Sequence, residues 1–216
     1  MEDIFSYNNI LAITLAYLVG SVPSAIWVSK WFFGVDVRDY GSKNAGATNT
    51  FRVIGKRAGF PVLFFDVLKG WMAVKGFSYL FSTYDVGSNQ YVNLQLAIGM
   101  TAVFGHVFPI YARFKGGKGV ATLLGIILAI NFPAAAVSFV IFLLTYVISQ
   151  YVSLGAIMAA FFFPFITIFV FKAETPSLIY FSIVLSIMVI LTHRKNIERL
   201  LKNEESKMPI KVKEKS

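Results

Sequence analysis

ILAITLAYLVGSVPSAIWVSKW, residues Ile10 to Trp31, holds one charged side chain, Lys30. About 20 predominantly apolar residues are what a helix needs to cross the roughly 30 Å hydrocarbon core of a bilayer. Glu2 and Asp3 precede the run where a signal peptide would carry basic residues, and no small-residue cleavage pattern follows it, so it stays as a span. Runs of the same character recur at about 60–82, 91–111, 119–131, 133–150, 154–171 and 177–193. With the first span, placed at 8–30, they predict an all-α polytopic membrane protein of seven transmembrane helices. Composition agrees: 56% of residues are hydrophobic, 16% are aromatic and the mean hydropathy is +0.67.

Charge orders these spans. A net charge of +9 would by itself suit nucleic acid, but its location argues against such a partner. All basic residues except Lys69, Lys75 and Lys172 fall in alternate connections, at 30–58, at 112–119 and in the tail from Arg194 onward. The excess of Lys and Arg on one side predicts an N-terminus outside and a cytoplasmic C-terminus, which requires an odd number of spans. Reading 119–150 as one helix bent at Pro133 would give six and put the basic tail on the wrong side. We therefore expect a single seven-span catalytic domain over 1–203, with a charged, flexible cytoplasmic tail over 204–216. No internal repeat is visible. The absence of cysteine removes disulfides, thiolate catalysis and Cys-zinc sites.

The cytoplasmic connection between helices 1 and 2 is long for a compact domain, and its Gly and aromatic content argues against disorder. It contains Gly41-Ser42-Lys43-Asn44-Ala45-Gly46-Ala47-Thr48-Asn49-Thr50, followed by Arg52. Glycines that allow close backbone approach, interleaved with Ser, Asn and Thr, make a set of donors suited to anionic oxygen. Gly116-Gly117-Lys118-Gly119-Val120-Ala121-Thr122 has the same character and opens a predicted helix, whose N-terminus favours a phosphate. The two stretches read as one site, with the first loop folded back over the helix ends. A Walker A loop needs Ser or Thr after Gly-Lys, and Gly119 stands there instead.

Other residues carry two readings each. Asp66 and Lys69, at i and i+3, share a helix face and predict an intramembrane ion pair. Lys75 faces the bundle or snorkels. His106 and His193 both fall near cytoplasmic ends, as interfacial hydrogen-bonding residues or as general bases. His193 and Asn196 share a face if the last span continues as a helix. Two isolated histidines without an acidic cluster do not make a metal site.

Gly41 to Asn49 with Arg52, Gly116 to Thr122, Val152-Ser153-Leu154 and His193-Arg194-Lys195-Asn196-Ile197 resemble the successive motifs of the bacterial acyl-phosphate:glycerol-3-phosphate acyltransferases. The resemblance implies acyl transfer from acyl phosphate to the 1-hydroxyl of glycerol 3-phosphate, giving lysophosphatidic acid and phosphate at the start of phospholipid biosynthesis. It implies a catalytic centre of Ser42, Arg52, Lys118, His193 and Asn196. Substrate phosphate would be held by Gly41, Asn44, Gly46, Thr48, Asn49, Gly116, Gly117, Gly119 and Thr122, with Ser153 supporting the third motif. No cofactor, metal or coenzyme A is implied. The expected setting is the bacterial cell (inner) membrane, with the active site facing the cytoplasm and an acyl-phosphate-producing enzyme as partner. The His-x4-Asp pair of other acyltransferases is absent, since Tyr111 and Glu198 stand five residues after His106 and His193. The competing class is an anion transporter, whose Gly-rich broken helices would look similar.

Overall fold

The computed structural model describes residues 6–209, and every regular element among the described residues is helical. The chain forms two compact units, Met1–Phe132 and Pro133–Ser216.

In the first unit, α1 (Tyr7–Gly20) starts at Ser6, whose hydroxyl accepts from the Asn9 N–H at 3.3 Å. The chain breaks at Ser21 to Pro23 and resumes as α2 (Ser24–Phe33), which ends at Gly34 with φ +67°. Proline has no N–H to continue a helix, so a run that reads as one unbroken helix folds as two helical pieces. The long connection holds a 3₁₀ turn, Val37–Asp39, and a seven-residue helix, α3 (Ala47–Val53). Then come α4 (Lys56–Phe81), α5 (Asn89–Val107) and α6 (Val120–Ile130). The first loop does fold back: Ala25 of α2, Val37 of the loop and Val62 of α4 form one buried apolar cluster, with Ala47 and Ile54 packed against it.

The second unit holds α7 from its second residue (Phe132–Ser149), α8 (Val152–Phe165), a wider π turn at Ile166–Val170, α9 (Pro176–Thr192) and α10 (Arg194–Leu201). The last helix bends by 60° from α9, at His193. Of the expected flexible tail, residues 204–209 are described, with Glu205 buried, while 210–216 lie outside the described residues.

Among the described residues, four segments are long and apolar enough to cross a membrane: Tyr7–Phe33, Asn89–Ala112, Phe132–Ser149 and Val152–Val170. The bent pair α9 and α10 makes a fifth if counted as one span. α4 has the length but carries Lys56, Arg57, Asp66, Lys69 and Lys75. α6 has only 11 residues, or about 16 Å.

Two helix crossings in the first unit rest on paired glycines. Gly70 of α4 faces the Thr122 carbonyl of α6, while Gly125 of α6 faces the Val67 carbonyl and Trp71 nitrogen of α4. Gly20 of α1 and Gly105 of α5 do the same with Ala102 and with Tyr17 and Ser21. In lipid, apolar area drives little helix association, and close backbone approach at small residues supplies the packing. A methyl at Gly125 would overlap partner backbone, so Gly125→Ala is expected to destabilise the protein by about 1–3 kcal/mol in detergent unfolding. Gly76, also in α4, has nothing within 4 Å of an added methyl. Gly76→Ala should be neutral or gain about 0.5–1 kcal/mol from helix propensity in the same measurement.

Candidate active site

The first loop is shaped by one side chain. Asn49, fully buried in α3, donates from Nδ2 to the carbonyls of Val37 (2.7 Å) and Tyr40 (3.1 Å), and its Oδ1 accepts the Ser42 N–H at 2.9 Å. These bonds curl residues 37–42 around Asn49. A Cβ on Gly41, whose φ is +59°, would strike Asn49 Oδ1, so Gly41 is needed for both backbone angle and space. The curl leaves Ser42 exposed, and Arg52 is exposed in the last turn of α3. Gly46 caps the N-terminus of α3 in extended conformation. Asn44 and Thr48 are half-buried beside it.

The second loop is shaped by α5. The N–H groups of Gly116 and Gly117 donate to the carbonyls of Val107 and His106, each at 3.2 Å. Read from sequence as phosphate donors, both are engaged with backbone. What the glycines permit is contact: a Cβ on Gly117 would overlap His106 Nε2 and crowd the Ala45 carbonyl of the first loop. The expectation that the two loops lie together is therefore met at Gly117 and Ala45. Ala45 also packs with Ile26 and Ala112. Gly119, at φ +81°, turns the chain into α6, where the first-turn N–H groups have no partner within the helix. Lys118 is half-buried just before that turn, and Thr122 is fully buried just after it.

Beneath the second loop lies a polar cluster whose full membership the sequence does not reveal. Asp66 Oδ1 accepts from Ser24 Oγ (2.6 Å) and pairs with Lys69 Nζ (2.8 Å), with His106 Nδ1 at 3.5 Å. Lys69 also donates to the Val22 carbonyl at the break between α1 and α2 (2.9 Å), and Thr122 Oγ1 lies 3.1 Å from His106 Nδ1. The Asp66–Lys69 pair is as expected, but Ser24 and the two-sided role of His106 were missed. Asp66 is the sole acid between Asp39 and Asp85, and a lone intramembrane acid does signal that partners exist. Lys75 is exposed, away from this cluster.

Beside the loops opens a cleft of about 820 Å³ walled by Trp27, Trp31 and Tyr111 and rimmed by Lys30, Lys43, Arg113 and Lys115. Asp36 receives Arg38 Nη2 at 2.7 Å and Lys30 at 3.0 Å. The hydrogen bonds from Arg38 hold its carboxyl well below the usual range despite partial burial.

In the second unit Ser153, His193 and Asn196 are all buried. His193 Nδ1 lies 2.8 Å from the Val189 carbonyl. A carbonyl can only accept, so the proton is on Nδ1. Glu205 gathers the rest: its oxygens accept from Ser153 Oγ (2.8 Å), Asn196 Nδ2 (2.8 Å) and Arg199 Nε (2.6 Å). The segment then crosses the α7–α8 turn, where Met208 donates its N–H to Gln150 and accepts from Tyr146, each at 2.9 Å. Burial raises the Glu205 pKa, but the bonds from Arg199, Asn196 and Ser153 outweigh it, leaving the value below the ordinary 4.5. A depressed carboxylate contributes stability that is complete above the unfolded value and is lost as pH falls through the folded one. Glu205→Gln should therefore cut hydrogen-exchange protection of the Met208 amide about tenfold or more at pH 7. Wild type should show that loss only below the ordinary carboxylate range.

Comparison with known proteins adds the family. Residues 10–203 match the family model described as glycerol-3-phosphate acyltransferase. The chain is 43% identical to the glycerol-3-phosphate acyltransferase of Fusobacterium nucleatum, over 90% of this chain and 95% of that one. It is 40% identical to that of Staphylococcus carnosus, over 92% and 97%. Crystal structures of PlsY (YgiH), an integral membrane glycerol 3-phosphate acyltransferase, superpose with TM-scores of 0.82 for the glycerol 3-phosphate form and 0.78 for the lysophosphatidic acid form. Both are 34% identical to this chain and cover 93% of it, which accounts for 96% and 95% of those chains.

Proposed function

We propose that this chain, which belongs to the glycerol-3-phosphate acyltransferase family, takes its acyl group from an acyl phosphate and transfers it to the 1-hydroxyl of glycerol 3-phosphate. The product is lysophosphatidic acid, and the chain is an integral membrane enzyme of phospholipid synthesis. Membership of an enzyme family removes the transport alternative. The observation that best supports the reading is the seating of Gly117 against Ala45. It joins the loop carrying Lys118 to the loop carrying Ser42 and Arg52.

Acyl phosphate is a mixed anhydride whose leaving group is already a stable anion, so positioning and charge stabilisation supply most of the catalysis. The hydroxyl oxygen attacks the carbonyl carbon, the carbon–oxygen bond to phosphate breaks, and phosphate leaves with the electron pair. The hydroxyl proton passes to the departing phosphate, so catalysis is substrate-assisted, with His193 and Asn196 orienting. Arg52 and Lys118 neutralise phosphate charge, and the Ser42 hydroxyl supports the developing oxyanion. Phosphate contacts fall to Asn44, Thr48 and the first turn of α6 after Gly119. Gly41, Gly46, Asn49, Gly116, Gly117 and Thr122 hold the loops in shape, and Ser153 supports Asn196 through Glu205. The reaction uses no metal or coenzyme, and an enzyme that makes acyl phosphate supplies the donor.

The same reading keeps seven spans, with α4 crossing as its buried Asp66 and Lys69 pair with each other and the short α6 packed against α4. The N-terminus is outside, and the loops and tail face the cytoplasm of a bacterial cell. A reporter fused to the C-terminus should be cytoplasmic, and an extracytoplasmic result would remove this topology.

Purified protein in detergent should form lysophosphatidic acid from palmitoyl phosphate and glycerol 3-phosphate without metal, and none from palmitoyl coenzyme A. Lys118→Ala should lower the rate about 100-fold or more. Folded protein that yields no product from acyl phosphate would overturn the donor assignment.

A further inference from the structure

His106 has no place in the reaction as written, yet it touches the second loop on both sides of Lys118. It lies in the last turn of α5 and is 6% exposed. On the near edge of the ring, Nδ1 is 3.1 Å from Thr122 Oγ1 and 3.5 Å from Asp66 Oδ1. An ionised carboxylate accepts and does not donate, so the proton between His106 and the Asp66–Lys69 pair belongs to Nδ1. On the far edge, Nε2 and Cε1 abut Gly117, so that a Cβ there would overlap Nε2 and crowd Cε1. The main-chain carbonyl of His106 also accepts the Gly117 N–H at 3.2 Å. One residue therefore holds Gly117 before Lys118 and Thr122 after it.

The anchor behind the ring is fixed as well. Asp66 is held by Ser24 Oγ at 2.6 Å and Lys69 Nζ at 2.8 Å, and Lys69 by the Val22 carbonyl at 2.9 Å. Ser24 belongs to α2, Asp66 and Lys69 to α4, and Val22 to the break between α1 and α2. The face of Gly117 that meets the ring also meets the Ala45 carbonyl, so the first loop rests on the same support.

We propose that His106, anchored through Asp66 and Lys69, is a positioning residue that sets where Lys118 meets substrate phosphate. This rests on the reading of Lys118 given above. A cluster that only stabilised the fold would lower activity whatever residue stood at 118. A positioning device acts through Lys118 and is silent without it.

The experiment is a double-mutant cycle read by radiolabelled glycerol 3-phosphate incorporation. His106→Asn places an amide nitrogen near the Nδ1 position, keeping a donor toward Asp66 and Thr122, and removes the ring edge at Gly117. We expect it to lower kcat/KM for glycerol 3-phosphate about tenfold or more when Lys118 is present, and less than about threefold in a Lys118→Ala background. Equal fold losses in both backgrounds would overturn the proposal. Thr122→Val, which removes the hydroxyl but keeps the shape, should couple to Lys118 in the same way and stands in if His106→Asn does not fold.

A second arm needs no turnover. His106 and His193 are the only histidines in the sequence. With ¹⁵N-labelled histidine, Gly117→Ala should shift the His106 ring resonances, which are assigned by their loss in His106→Asn. An unmoved His106 signal overturns the contact even if wild type proves inactive with acyl phosphate. Inactivity with a shifted signal would instead remove the assigned reaction and leave the clamp standing.

Discussion

One buried carboxylate decides how the first unit is tied together. Asp66 is 1% exposed, and an unpaired charge at that depth would cost several kcal/mol. Ser24, Lys69 and His106 converge on it from α2, α4 and α5, and Thr122 of α6 joins through the histidine. Removing Asp66 would leave the buried Lys69 without its carboxylate. The cluster is therefore a poor source of stability in absolute terms, but it ties α2, α4, α5 and α6 together through one set of contacts.

The glycine crossings and this cluster are two parts of one device. Gly70 lies one residue from Lys69, and its close approach to the Thr122 carbonyl brings α6 near enough for the Thr122 hydroxyl to reach His106. Gly105 precedes His106 and lets α5 lie against α1 beside the break at Ser21. Packing at small residues sets the distances, and the polar groups set the register. The loops above inherit both constraints through Gly117 and Ala45.

Apolar runs announce helices, so most helical segments were readable from the chain alone. The break at Ser21 to Pro23 was missed because its flanks are apolar and the run reads through. α3 was missed because Ala47 to Val53 is short and rich in Thr and Asn, a composition that suits loops equally well. Asp66 with Lys69 was readable because the pair is local. Ser24 and His106 lie about 40 residues from Asp66 in opposite directions, and no periodicity connects them. Gly116 and Gly117 were read as anion donors from residue type, but their N–H groups close the turn back onto α5. The charged neighbours of Glu205 read as a flexible tail, whereas its burial against Ser153 and Asn196 depends on contacts that only the fold supplies.

The break between α1 and α2 also bears on motion. A helix interrupted at proline often acts as a hinge, but here the Val22 carbonyl at the break accepts from the Lys69 ammonium. Moving the two pieces relative to α4 would cost this charge-assisted bond, leaving Lys69 with Asp66 alone. The break is thus tied to α4 by a side chain and is not left as a bare hinge.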